Sequence, residues 1–187
     1  KYFTAEKVVN PETGKEARVA LSKEEESVLG LQSYKEVLSK SKVVEEGAEV
    51  DQVRRVARRL AAATGEGGKG FKWEVSVVDS KEVNAFCLPG GKIVVYTGIL
   101  PVTKTDAGLA AVMGHEMAHA TAHHGAQRLF QDDIYQTAMN GAQQSIADLD
   151  PEKQRAVMAA LGAGAKFGVI LPFSRDHETE ADEMGIL

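Results

Sequence analysis

His115-Glu116-Met117-Ala118-His119 sets two imidazoles and a carboxylate at a spacing that suits metal-assisted hydrolysis. On an α-helix, residues four apart lie about 40° from each other around the axis, so the two rings point the same way and can share one ion. Glu116 lies about 100° from His115, at the edge of that arc, where it reaches a water on the ion without ligating the ion itself. Zn²⁺ held by two His and one carboxylate keeps an open position, lowers the pKa of its water to roughly 7 and polarises a carbonyl. Glu116 is then the general base, taking the water's proton and passing it to the leaving amine. Gly114, Ala110, Ala111, Ala118 and Ala120 surround the motif with small residues, as close packing round a buried site requires.

A third ligand is needed, and spacing sorts the choices. A third His six residues after the second would define the metzincin pattern, but that position is Gly125. His123 continues the same helical face, yet three His at i, i+4 and i+8 lie on a line about 12 Å long and cannot close round one ion. His123 is expected beside the site or at the surface, and His124 on the opposite face in a structural or exposed role. Glu178-Thr179-Glu180-Ala181-Asp182 offers the better carboxylates. Glu178 and Asp182 share a helical face, so one can ligate while the other accepts the N–H of a ligating His. Spacing favours Glu178 without eliminating Glu180, which is expected to point away, with Glu183, into solvent.

The flanking elements must position these residues. Ser22-Lys23-Glu24-Glu25 reads as a capping box opening a helix to about Val43, with Val28, Leu31 and Leu38 as its apolar positions. A second helix is expected from Ala48 to Ala63, with Val50, Val53, Val56, Ala57 and Leu60 inward and Arg54, Arg55, Arg58 and Arg59 outward. Phe71 to Val77 alternates as a half-buried strand. Asn84–Leu88 and Ile93–Thr97 flank Pro89-Gly90-Gly91 as a hairpin, completing a small antiparallel sheet whose exposed edge could take a substrate segment. Thr103 with Asp106 caps the motif-bearing helix, which ends near Gly125. Asp150-Pro151 opens an Ala/Gly-rich helix to about Ile170, Pro172 ends it, and Ser174 caps a last helix from Arg175. The fold expected is α+β: one mainly helical zincin-like domain over 1–187, with N-terminal helices in 1–65, the sheet in 70–100 beside the active-site helix, and catalytic helices in 103–187.

Composition agrees with a globular enzyme. The 187 residues are 43% hydrophobic and 26% charged, enough for one core and too few for two ordinary domains. The net charge of −5 and the single arginine cluster, on a solvated helix face, argue against nucleic acid. Cys87 is alone, so no internal disulfide forms. No apolar run reaches the 18 or so residues that span a bilayer, and no leader pattern begins at Lys1. A leader removed ahead of Lys1, and a C-terminal piece beyond Leu187, are both compatible with these ends.

Three blocks resemble the gluzincin peptidases of the Ste24/HtpX type, and within them the soluble bacterial relatives of the mitochondrial inner-membrane stress metalloprotease. They are Asn84 to Gly91 with Thr97-Gly98-Ile99-Leu100, Gly114 to His119, and Ser174-Arg175 with Glu178 to Asp182, spread over residues 70 to 187. The resemblance implies that Glu178 is the third zinc ligand, one ion per chain, and that Asp182 supports the site. It also implies quality control at a bacterial cell envelope, by a periplasmic or lipid-anchored enzyme, on unfolded or membrane-associated proteins, with possible contact to the membrane surface. Tyr96, His177 and Arg175 are candidates for stabilising the oxyanion. His177 ranks first as a catalytic residue because it adjoins the ligand. A loop such as Gln127 to Asn140 could occlude the cleft in a latent state. The main rival is a zinc-holding chaperone or scaffold, against which the presence of Glu116 argues; a second is a helical interaction protein with an accidental motif.

Overall fold

The computed structural model describes residues 6–19, 21–131 and 174–186. The helix expected from Asp150 to Ile170, Pro172, and the part of the expected loop beyond Gln131 lie outside them.

The chain opens on an element that its sequence did not announce, a hairpin of β1 (Glu6–Val9) and β2 (Glu16–Val19). Helix α1 (Lys23–Ser39) carries the expected capping box: the Glu25 N–H donates to Ser22 Oγ at 3.2 Å, and the Ser22 N–H donates to Glu25 Oε2 at 2.8 Å. It stops at Ser39 rather than Val43, because Val43–Val44 pair as strand β3. Its inward face also differs from the expected one. Val28 is 56% exposed and Leu31 38%, while Leu29, Gly30, Ser33, Tyr34 and Val37 are buried. Gly30 explains the rotation: a Cβ there would lie 1.9 Å from the Pro89 carbonyl oxygen, so α1 rests backbone-on-backbone against the turn at Pro89.

Helix α2 (Ala48–Ala63) buries Val50, Val53, Val56 and Ala57 and leaves its four arginines exposed, as expected. Strands β4 (Glu74–Val78), β5 (Ala85–Leu88) and β6 (Lys92–Tyr96) complete a sheet of order β3-β4-β6-β5. The hairpin turn forms as expected, with Gly90 and Gly91 at φ +77° and +87°, a region costly for residues bearing Cβ. The sheet is mixed rather than wholly antiparallel. β6 returns between β4 and β5, and pairs with β4 in parallel from Glu74↔Lys92 to Val78↔Tyr96. Of the two edge strands, β5 is buried at all four residues and packed by α4, while β3 is half-buried.

Alternate residues feed two cores. Val77, Ala85, Cys87, Ile93 and Val95 pack with α2 and with Leu109, Met113 and Met117 of α4 (Asp106–Thr121). Val78, Phe86, Leu88, Val94 and Tyr96 pack with Tyr34 and Val37 of α1. The sheet is thereby a slab with helices on both faces, and α4 is held against it by apolar side chains on the side away from the histidines.

Thr103 ends the short helix α3 (Leu100–Thr103), and the cap of α4 is Thr105, whose Oγ1 accepts the Gly108 N–H at 3.1 Å. α4 ends at Thr121, four residues before the expected Gly125. His123 takes φ +57°, and α5 (His124–Gln131) starts at once, so the first residues of the expected loop are helical. The last helix, α6 (Arg175–Ile186), is capped as expected by Ser174, whose Oγ accepts the His177 N–H at 3.2 Å. Among the described residues, no helix is long and apolar enough to cross a membrane.

Candidate metal centre

α4 and α6 run antiparallel, as the contacts Gly114 with Gly185, His115 with Asp182 and His119 with Glu178 require. Two glycines permit the approach: a Cβ on Gly114 would lie 2.9 Å from the Gly185 carbonyl oxygen, and one on Gly185 would lie 2.9 Å from the His115 nitrogen. The consequence is that Glu178 faces the exposed side of the two-histidine pair. His115 Nε2 and His119 Nε2 are 3.0 Å apart, Glu178 Oε2 is 3.4 Å from the first, and Glu178 Oε1 is 3.7 Å from the second.

Ligand atoms set tetrahedrally about an ion at ~2.05 Å lie roughly 3.3 Å apart. The three separations bracket that value, so the donor set His115, His119 and Glu178 fits one ion with a position left open. His115 Nδ1 is 2.8 Å from Asp182 Oδ1. With the Nδ1 proton donated to that carboxylate, the Nε2 lone pair is directed at the ion site. Glu116 is partly buried; desolvation first, then the Glu178 carboxylate, push its carboxyl up to about 8. Burial, followed by the neighbouring His124 and His115, holds the His119 ring well below the usual histidine range and keeps it neutral.

A profile of peptidase family M48 matches residues 48–187. The chain belongs to peptidase family M48. M48 peptidases are metal-dependent, which is what the donor set of this M48 domain fits. A mitochondrial metalloendopeptidase OMA1 from Schizosaccharomyces pombe is 39% identical over 135 residues, covering 72% of this chain and 37% of that protein. The human mitochondrial metalloendopeptidase OMA1 is 28% identical over 193 residues, 100% of this chain and 37% of that protein. A beta-barrel assembly-enhancing protease of Escherichia coli is 26% identical over 180 residues, 94% of this chain and 36% of that protein. The chain therefore spans little more than a third of the length of these relatives.

Behind the ligand pair, the M48 domain carries a polar layer in places where sequence spacing pointed elsewhere. His124, expected on the far face, is fully buried with Nδ1 2.9 Å from His119 Nδ1, because the left-handed turn at His123 folds α5 back against α4. His123 does not continue the helical face; it is buried, with Nδ1 bonded to Glu26 of α1. Glu180, expected in solvent, is 5% exposed and lies with Oε2 3.6 Å from His124 Nε2. His177 stacks on His124 with ring centroids 4.4 Å apart, and its Nε2 meets Gln127 Oε1 at 3.0 Å, so two rings separate it from the ligand face of His119. Tyr96 is buried in the core beneath α1, across the sheet from α4, and Arg175 is exposed. A signal for the missed layer was present: an adjacent His pair directly after a helix of small residues needs partners once that helix is buried.

Proposed function

We propose that residues 1–187 form a single catalytic domain of a zinc-dependent endopeptidase. His115, His119 and Glu178 hold one Zn²⁺, and Asp182 orients His115. The observation that carries this reading is the 3.0 to 3.7 Å grouping of two imidazole nitrogens and a carboxylate on antiparallel helices. The bound ion supplies a Lewis acid and an acidified water at neutral pH. Glu116 sits one residue from the first ligand and close enough to Glu178 to feel its charge. Its carboxylate accepts the proton of the attacking water and returns it to the departing amine nitrogen as the C–N bond breaks.

For the oxyanion, His177 ranks lower than expected, because its ring packs on His124 and its Nε2 on Gln127. Family membership and the protease names of the relatives support proteins or peptides as substrates. The proposed role is protein quality control at a bacterial cell envelope, in the periplasm or on a lipid anchor, and the relative from Escherichia coli is similar to this chain under the name beta-barrel assembly-enhancing protease. Unfolded or membrane-associated chains are the substrate class this reading favours.

The test compares wild type with Glu116→Gln for zinc content and for cleavage of casein. The reading requires about one zinc per chain in both proteins and cleavage by the wild type alone. Equal cleavage by both would overturn the role of Glu116. Zinc in both without cleavage by either would favour a scaffold, and no zinc in either would remove the centre.

A further inference from the structure

The β1–β2 hairpin lies ahead of the segment that matches the family profile, residues 48–187, yet its turn reaches the metal centre. Asn10 Nδ2 donates to Glu180 Oε1 at 2.8 Å, and Thr13 Oγ1 donates to the same oxygen at 2.7 Å. Lys15 Nζ lies 3.5 Å from Glu180 Oε2. The turn is itself braced: Asn10 Oδ1 accepts the Glu12 N–H at 3.0 Å, and the Asn10 N–H donates to the Lys15 carbonyl at 2.9 Å. Glu180 is buried, so it depends on these groups in place of water.

The other oxygen of Glu180 faces His124, and His124 faces His119. Proton bookkeeping admits one arrangement that leaves His119 Nε2 open towards an ion. The His119 proton is on Nδ1 and is donated to His124 Nδ1, which leaves the His124 proton on Nε2, 3.6 Å from Glu180 Oε2, an electrostatic contact with the carboxylate rather than a hydrogen bond. On the metal-centre reading above, we propose that the N-terminal hairpin turn, through Asn10, Thr13 and Lys15, is a positioning element that fixes Glu180 and so sets the tautomer and ring orientation of the ligand His119. Asp182 does the same for His115 from α6. One ligand is thus oriented from the catalytic helix pair and the other through a segment more than 100 positions ahead of it in sequence.

The probe is Zn²⁺ alone, titrated into the metal-free 187-residue chain in competition with a chromophoric chelator. Thr13→Val removes one donor to Glu180 without changing side-chain shape, and Thr13→Ser keeps it. Loss of an outer partner of a ligating His costs about 10- to 100-fold in metal affinity. Thr13 and Glu180 act on His119 through His124, so we expect Thr13→Val and Glu180→Gln to weaken zinc binding by about three- to tenfold, at or below the low end of that range, and Thr13→Ser to stay within about twofold of wild type. Wild-type affinity in both Thr13→Val and Glu180→Gln, alongside lost affinity in Glu178→Ala, would overturn the hairpin's role and leave the metal centre standing. No zinc binding by the wild type would reject both. Imidazole nitrogen NMR shifts of the metal-free wild type give a readout that needs no variant: protons on His119 Nδ1 and His124 Nε2 are expected, and the reverse tautomers would contradict the proposal.

Discussion

Gly114 and Gly185 meet backbone to backbone where α4 and α6 cross, with 2.9 Å between the place of a Gly114 Cβ and the Gly185 carbonyl oxygen. The crossing decides whether Glu178 and Asp182 reach the histidines, since both carboxylates lie within two turns of it on α6. Gly114→Val should part the helices, lowering stability by about 1–3 kcal/mol through overpacking and weakening zinc binding. Ala107→Val, exposed near the start of the same helix and two turns before His115, is the control and should leave zinc affinity unchanged. Urea unfolding and chelator competition measure the two effects. Equal zinc affinity in Gly114→Val and wild type would show that the crossing does not set the site.

Asp182 is largely exposed although it holds His115 Nδ1 at 2.8 Å. Water competes for such a bond, so Asp182→Ala should weaken zinc binding by about tenfold, the low end of outer-partner losses. Asp182→Asn keeps an acceptor oxygen and should recover most of that. An alanine variant that binds zinc as tightly as wild type would mean that the tautomer of His115 is set elsewhere.

Glu26 and His123 form a pair that is 5% and 8% exposed, joining α1 to the left-handed turn after α4. Removing one partner of a buried pair typically costs about 3–5 kcal/mol, because the other is left without its counterpart. Glu26→Ala should therefore show a loss of that size in urea unfolding with excess chelator present. A loss below about 1 kcal/mol would mean that water reaches His123 once the carboxylate is gone.

Local signals in the sequence were reliable where a feature closes within a few residues. The Ser22–Glu25 capping box, the inward face of α2 and the Pro89-Gly90-Gly91 hairpin all formed as read. The pair His115 and His119 was legible for the same reason, being one turn of one helix. What failed depends on distant partners. The burial of Gly30 against Pro89 rotates α1 and leaves Val28 outside, which periodicity within α1 could not reveal. The insertion of β6 between β4 and β5 makes the sheet mixed, and a hairpin signal between β5 and β6 says nothing about β4. The burial of Glu180 is set by Asn10 and Thr13 at the other end of the chain, so its charge alone pointed to solvent. His124 was misplaced because one positive φ, at His123, breaks the helical wheel that spacing assumes.

X-ray absorption at the zinc edge of the zinc-loaded chain reads the identity of the metal's ligands. A first shell of nitrogen and oxygen at about 2.0–2.2 Å is expected, with two imidazoles in the wild type and one in His119→Ala. A sulfur ligand at about 2.3 Å, or an imidazole count unchanged in His119→Ala, would contradict that ligand set.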